Sequence, residues 1–105
     1  MFPGGGMGNM QAMMKKVQKM QNDMLKAQEE LKKRTVEATV GGGAVTVVVS
    51  GRKELVSIKI NPDAVDLEDI EMLEDMIVSA VNDGIRQADE MSEKEMAKIT
   101  GGMKL

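Results

Sequence analysis

Lysines and carboxylates are the only abundant side chains in this sequence with chemistry to offer. The chain contains no His and no Cys, so the usual zinc ligands, the commonest general base and the thiol nucleophile are all absent. The lack of Cys also excludes a disulfide framework, which fits a reducing cytoplasm. Trp and Tyr are missing and Phe2 is the sole aromatic, leaving almost no platform for stacking single-stranded bases. No constellation of nucleophile, base and electrophile can be assembled from what is left. The chain is therefore expected not to be an enzyme, with no catalytic residue, no metal, no cofactor and no small-molecule substrate. Positions 63–95 carry twelve acids against two bases, Arg86 and Lys94. Without His or an oxygen-rich loop, those acids read as a solvated helix face rather than a cation site.

Charge is the remaining chemistry, and it is unevenly divided. The net charge is −3, but residues 1–35 hold seven bases against three acids, a net +4, and the remainder carries −7. Such asymmetry points to an end that faces a polyanion. The seven bases are Lys15, Lys16, Lys19, Lys26, Lys32, Lys33 and Arg34, and they are the candidate phosphate contacts. Among them run Met10, Met13, Val17, Met20, Met24, Ala27 and Leu31, spaced alternately three and four apart. That spacing predicts a helix over Met10–Lys33 with a coiled-coil-like seam, capped by Asn9. Met10, Met13, Val17, Met20, Met24 and Leu31 are thus candidates for core or dimer packing. With Met10 at heptad position a, Lys19, Lys26 and Lys33 fall at c and Lys15 at f, on the outer side. Lys19 to Lys33 covers ~21 Å at ~1.5 Å per residue. A duplex offers one charge per ~1.7 Å, so a stripe of that length could follow its backbone; a merely solubilising face has the same charge pattern.

The elements that position this stripe follow from the rest of the chain. Val36, Ala38 and Val40, then Val45, Val47 and Val49, then Val56, Ile58 and Ile60 recur at every second position. Three such β-branched sets predict a half-buried antiparallel meander. Gly41-Gly42-Gly43 and Ser50-Gly51-Arg52-Lys53 supply its turns, and Asn61-Pro62 stops the third strand. A second helix is expected over about Leu67–Ile99, with Asp66 and Asp69 as cap and N3. Its stripe is Ile70, Leu73, Ile77, Ala80, Val81, Gly84, Ala88 and Met91. Gly84 costs ~1 kcal/mol relative to Ala in mid-helix and reads as a close-approach position, with a kink as the alternative. Residues 1–9 read as a flexible N-terminal arm and 100–105 as a flexible tail. The whole, 1–105, reads as one α+β domain of order α-β-β-β-α: a long N-terminal helix, a three-stranded antiparallel sheet and a long C-terminal helix.

Helices of ~36 and ~50 Å cannot bury their stripes on strands of ~23 Å. A second copy is the simplest cover, and a two-fold homodimer would carry two basic helices. No apolar run approaches the ~20 residues that span a bilayer, and no signal-peptide pattern opens the chain, so no membrane partner is expected.

MFPGGGMGNM, MMKKVQKMQNDMLKAQEEL, GGGAVTVVVSG, VSIKINPD, LEDMIVSAVNDGIRQADE and EMAKITGGM, in this order and spacing, make the chain resemble the YbaB/EbfC family of bacterial nucleoid-associated proteins over essentially its whole length. The resemblance implies an α-β-α protomer and a tweezer-like homodimer in which sheets join and helices project. It also implies double-stranded DNA binding at the nucleoid, in chromosome organisation and gene regulation. The family's protruding helices match residues 10–33 here. Lys94, Lys98 and Lys104, among Glu90, Glu93 and Glu95, are weaker candidates. The competing expectation is a protein-interaction module that docks partner helices on the Met-rich seam.

Overall fold

The computed structural model describes residues 3–101. In chain order, helix α1 spans Pro3–Lys33, strand β1 Thr35–Val40, β2 Val45–Ser50, β3 Leu55–Ile60, a single 3-10 turn Pro62–Ala64, and helix α2 Ile70–Thr100. This is the α-β-β-β-α order that the periodicities predict. The sheet is an antiparallel meander of order β1-β2-β3.

Alternation decides which residues form the core. Val45, Val47 and Val49 on central β2 are fully buried, with Ala38 from β1 and Ala80 and Ala88 from α2. Each buried valine contributes about 1.5–3 kcal/mol relative to an exposed one. The opposite face, with Thr35, Glu37, Thr39, Ser57 and Lys59, is left to solvent. α2 lies across β1 and β2 and leaves β3 uncovered, every residue of which is exposed. Gly84 lets α2 approach: a Cβ there would lie 2.7 Å from Val49 Cγ2 and 3.2 Å from Val47 Cγ2. Helix α2 runs through this point, and the close approach is what the glycine serves.

Several sequence expectations shift. α1 begins at Pro3, not at a cap on Asn9; proline suits a first helical position, and extending a formed helix adds one hydrogen bond per residue. Residues 3–9, expected as an arm, are therefore helical, and 1–2 lie outside the described residues. α2 starts at Ile70 with Asp69 as N-cap, its side chain accepting from Met72 N. The expected cap, Asp66, instead accepts from Glu68 N at 2.9 Å in a local turn of its own, a conformation that competes with helix. Of the expected tail, Thr100 ends α2, Gly101 is its C-cap, and 102–105 lie outside the described residues.

The two turns use glycine differently. Gly41, Gly42 and Gly43 all have positive φ, as the loop demands. In the second turn Lys53 takes positive φ, at 63°, while Gly51 serves a contact. A Cβ on Gly51 would lie 2.6 Å from Leu31 O. β3 also carries an irregularity: Val48 faces Ser57 but Val49 faces Leu55, leaving Val56 as the extra residue of a bulge. Leu55, Ile58 and Ile60 thereby oppose Val49, Val47 and Val45 and share the apolar face, whereas Val56, expected in that set, does not pair.

Gly84→Ala is expected to lower stability in denaturant unfolding. Overpacking against stiff valines costs about 1–3 kcal/mol, offset by ~1 kcal/mol of helix propensity, for a net loss of up to about 2 kcal/mol. An unchanged or raised midpoint would show that the α2–β2 contact yields.

Candidate nucleic-acid interface

The long axis of the chain is 78 Å against 22 and 16 Å for the others, longer than the ~46 Å of either 31-residue helix by itself. The C-terminal end of α1 is the only part of that helix fastened to the sheet. Leu31 is 1% exposed, and Gly51 N donates to Leu31 O at 3.0 Å and to Arg34 O at 2.9 Å. Ser50, itself buried, braces the same turn by accepting from Arg52 N at 3.3 Å and Glu54 N at 3.2 Å. Met24, Gln28 and Leu31 then share a cleft with Ser92 and Met96 of α2 and with Gly51, Arg52 and Lys53.

The seam divides accordingly. Leu31 is buried, and Met20, Met24 and Ala27 are half-buried. Met10, Met13 and Val17 stand exposed, Met13 at 66%. Of the six candidates for core or dimer packing, these three are not covered within the single chain. Met96 shares a cleft with Met24 and α2 ends one turn later at Thr100, so the earlier turns of α1 have no helix beside them.

All seven candidate bases are exposed, but they do not form one surface. Lys15, Lys19, Lys26 and Lys33 are spaced four and seven apart and line one face of α1. Lys16 instead borders the methionines, lining a surface hollow with Met13, Val17 and Met20. Lys32 lies on the other flank, 3.4 Å from Glu29. Arg34 reaches across to α2, its Nη1 2.8 Å from Glu95 Oε1. Among the described residues no carboxylate pairs with Lys15, Lys16, Lys19, Lys26 or Lys33. Of the weaker candidates, Lys98 Nζ is 3.1 Å from the same Glu95 oxygen, Lys94 is exposed, and Lys104 lies outside the described residues. The sequence reading missed Arg52 and Lys53, which the turn brings to the foot of α1. Their adjacency in a turn was visible; their closeness to Leu31, twenty residues earlier, was not. Among the described residues no group of three or more acids could hold a metal ion, and no helix is long and apolar enough to cross a membrane.

Two ion pairs near the foot of the arm involve Glu95 and Lys53, whose titration they shift. Hydrogen bonds from Arg34 and then Lys98 hold the Glu95 carboxyl below the ordinary glutamate range. Its contribution to stability is present above that range and is lost as pH falls through its depressed value. Lys53 Nζ, 2.7 Å from Asp89 Oδ1, is raised above the usual lysine value, first by that hydrogen bond and then by the charge of Asp89. Its contribution is present below the ordinary lysine value and fades only as strong base passes the raised one. In an NMR titration, the Glu95 carboxyl should show a midpoint below the ordinary glutamate value, and Arg34→Ala should move it upward. An ordinary midpoint in the wild type would mean that the pair is not formed in solution.

Comparison with known proteins agrees with this geometry. A nucleoid-associated protein of Alkaliphilus metalliredigens is 59% identical over 105 residues, covering 99% of this chain and 92% of the relative. One from Pelotomaculum thermopropionicum is 59% identical over 98 residues, 93% of each chain. The crystal structure of an uncharacterised Helicobacter pylori protein superposes with a TM-score of 0.66 at 29% identity, over 74% of this chain and 82% of that one. The profile of the YbaB/EbfC DNA-binding family, which is not a family of enzymes, matches residues 7–103. With an α-β-β-β-α protomer, a projecting basic helix and relatives matched along nearly their full length, this chain belongs to the YbaB/EbfC DNA-binding family.

Proposed function

We propose that this protein acts at the nucleoid, in the cytoplasm, as a homodimer that grips double-stranded DNA with the lysine stripe of α1, organising the chromosome and extending to gene regulation. The observation that carries the reading is the stripe itself: Lys15, Lys19, Lys26 and Lys33 lie on one face of a helix that projects beyond the rest of its own protomer. Lysine ammonium groups position a protein on phosphates without reading bases, so the binding is largely independent of sequence. Four phosphate contacts per arm correspond to a slope of about −3.6 in log affinity against log salt. Anisotropy of a labelled random duplex at several salt concentrations should show a steep fall. Replacing Lys19, Lys26 and Lys33 by Glu should abolish binding while the dimer persists. A salt-insensitive complex, or full binding by the triple variant, would overturn this mechanism. The exposed Met10, Met13, Met14 and Val17 favour a second reading, helix docking on the Met-rich tip, which predicts that the triple variant still captures its partner.

The dimer is supported by β3. Leu55, Ile58 and Ile60 sit on the core face yet are 40–46% exposed, and the outer edge of β3 leaves backbone groups unpaired within the protomer. Ile85 precedes Asp89 by one turn on α2, and Asp89 reaches Lys53 beside the start of β3. Ile85 and Val78 of α2 are exposed as well. Two copies paired β3 to β3 about a two-fold axis would continue the sheet and cover both apolar sets. Ile58→Asp is expected to give monomers by analytical ultracentrifugation. It should also weaken DNA binding about 100-fold or more, because the two arms no longer act together. A persisting dimer would place the interface elsewhere.

A further inference from the structure

We propose that Arg34 and Lys98 form a second phosphate-binding site at the foot of the arm, which Glu95 occupies in the free protein as an internal stand-in for the DNA backbone. The inference rests on the reading that α1 binds duplex DNA, and it extends that interface onto α2. Two cations, one just past the end of α1 and one on α2, converge on one oxygen: Arg34 Nη1 at 2.8 Å and Lys98 Nζ at 3.1 Å from Glu95 Oε1. The carboxylate is the more enclosed partner, at 25% side-chain exposure against 48% for Arg34 and 73% for Lys98. Both cations thus keep a face toward solvent.

The site lies at the end of the stripe, turned from the stripe's face toward α2. Arg34 follows Lys33, the last residue of that stripe, and Lys98 lies one turn beyond Lys94 on the same face of α2. A carboxylate and a phosphodiester offer the same recognition chemistry, anionic oxygens that accept from guanidinium and ammonium. Arg34 has five N–H donors, so it can turn one edge to a phosphate while another still faces Glu95. Exposed ion pairs are weak and screened by salt, which makes exchange of partner easy. Until that exchange, Glu95 cancels one of the two charges at the foot of the arm. On this view it sets DNA affinity below what the cations alone would give.

The test is Glu95→Gln, which removes the charge and keeps the shape. Anisotropy with a random-sequence duplex should show several-fold tighter binding at low salt. The salt slope should steepen by roughly 0.9 for each phosphate contact freed, one or two per protomer. Arg34→Ala in the same background should abolish the gain. Because Glu95 also ties α2 to α1, the spacing of the two helices is measured in parallel, with spin labels on Cys introduced into each; the chain has no Cys of its own. Tighter binding at unchanged spacing is the expected result. Binding no tighter than wild type, with wild-type binding still abolished by the stripe triple variant, overturns this inference alone and leaves Glu95 a brace. A gain accompanied by widened spacing overturns it too, by assigning the effect to opening of the arm. Failure of the wild type to bind DNA at any salt overturns both this inference and the reading on which it rests.

Discussion

Where α1 leaves the sheet depends on a single amide. Gly51 N serves two carbonyls, Leu31 O and Arg34 O, at the point where the helix ends and β1 is about to begin. The contact is possible only because residue 51 has no side chain to collide with Leu31 O. Leu31 fills the space beside it, and the last third of α1 rests on the far end of α2. Everything N-terminal of that support projects. The lysine stripe is therefore presented on a lever whose direction is fixed at one end.

The uncovered surfaces have an equally simple origin. An α-helix is ~10–12 Å across with its side chains, and neighbouring strands are ~4.8 Å apart. One helix can roof about two strands of a three-stranded sheet. α2 roofs β1 and β2, held close by Gly84, and β3 keeps its leucine and isoleucines in water. Large apolar patches on a small protein mark contact sites, and an edge strand with an apolar face suits pairing with a second copy. The same shortage of cover leaves Met10, Met13 and Val17 exposed at the tip of the arm. The fold is thus complete at its valine core and unfinished at both its edge and its tip.

Electrostatics gives this shape its polarity. Bases dominate the first 35 residues, while the N-terminal part of α2 and the connection before it are acidic from Asp63 to Asp83. A polyanion is drawn to the first and repelled by the second, so it can approach the particle from one side only. Glu95 sits between two bases and engages both. The arm is accordingly less cationic at its foot than its composition implies.

Most of the fold could be read from periodicity, because alternation of β-branched residues and three-four spacing of apolar ones report local geometry directly. Val45, Val47 and Val49 as the core strand, the seam from Met20 to Leu31, Gly84 as a close approach and the stripe Lys15, Lys19, Lys26, Lys33 all follow from spacing alone. The absence of His and Cys likewise settled which chemistries were unavailable. Boundaries were less legible: Asp66 closes a local turn where a cap was expected, and Pro3 starts a helix in a glycine-rich stretch, because both outcomes turn on small differences between competing hydrogen bonds. Three matters belonged to tertiary structure. Periodicity places a residue on a face but not opposite a partner, so only the packed chain exposed β3, with its bulge at Val56. Only the packed chain bared the tip of α1, because α2 runs out one turn beyond Met96. And only it brought Arg34 to Glu95, sixty-one residues away. Charge composition depends on the sequence alone; whether a charge is free to meet DNA depends on what folding has placed beside it.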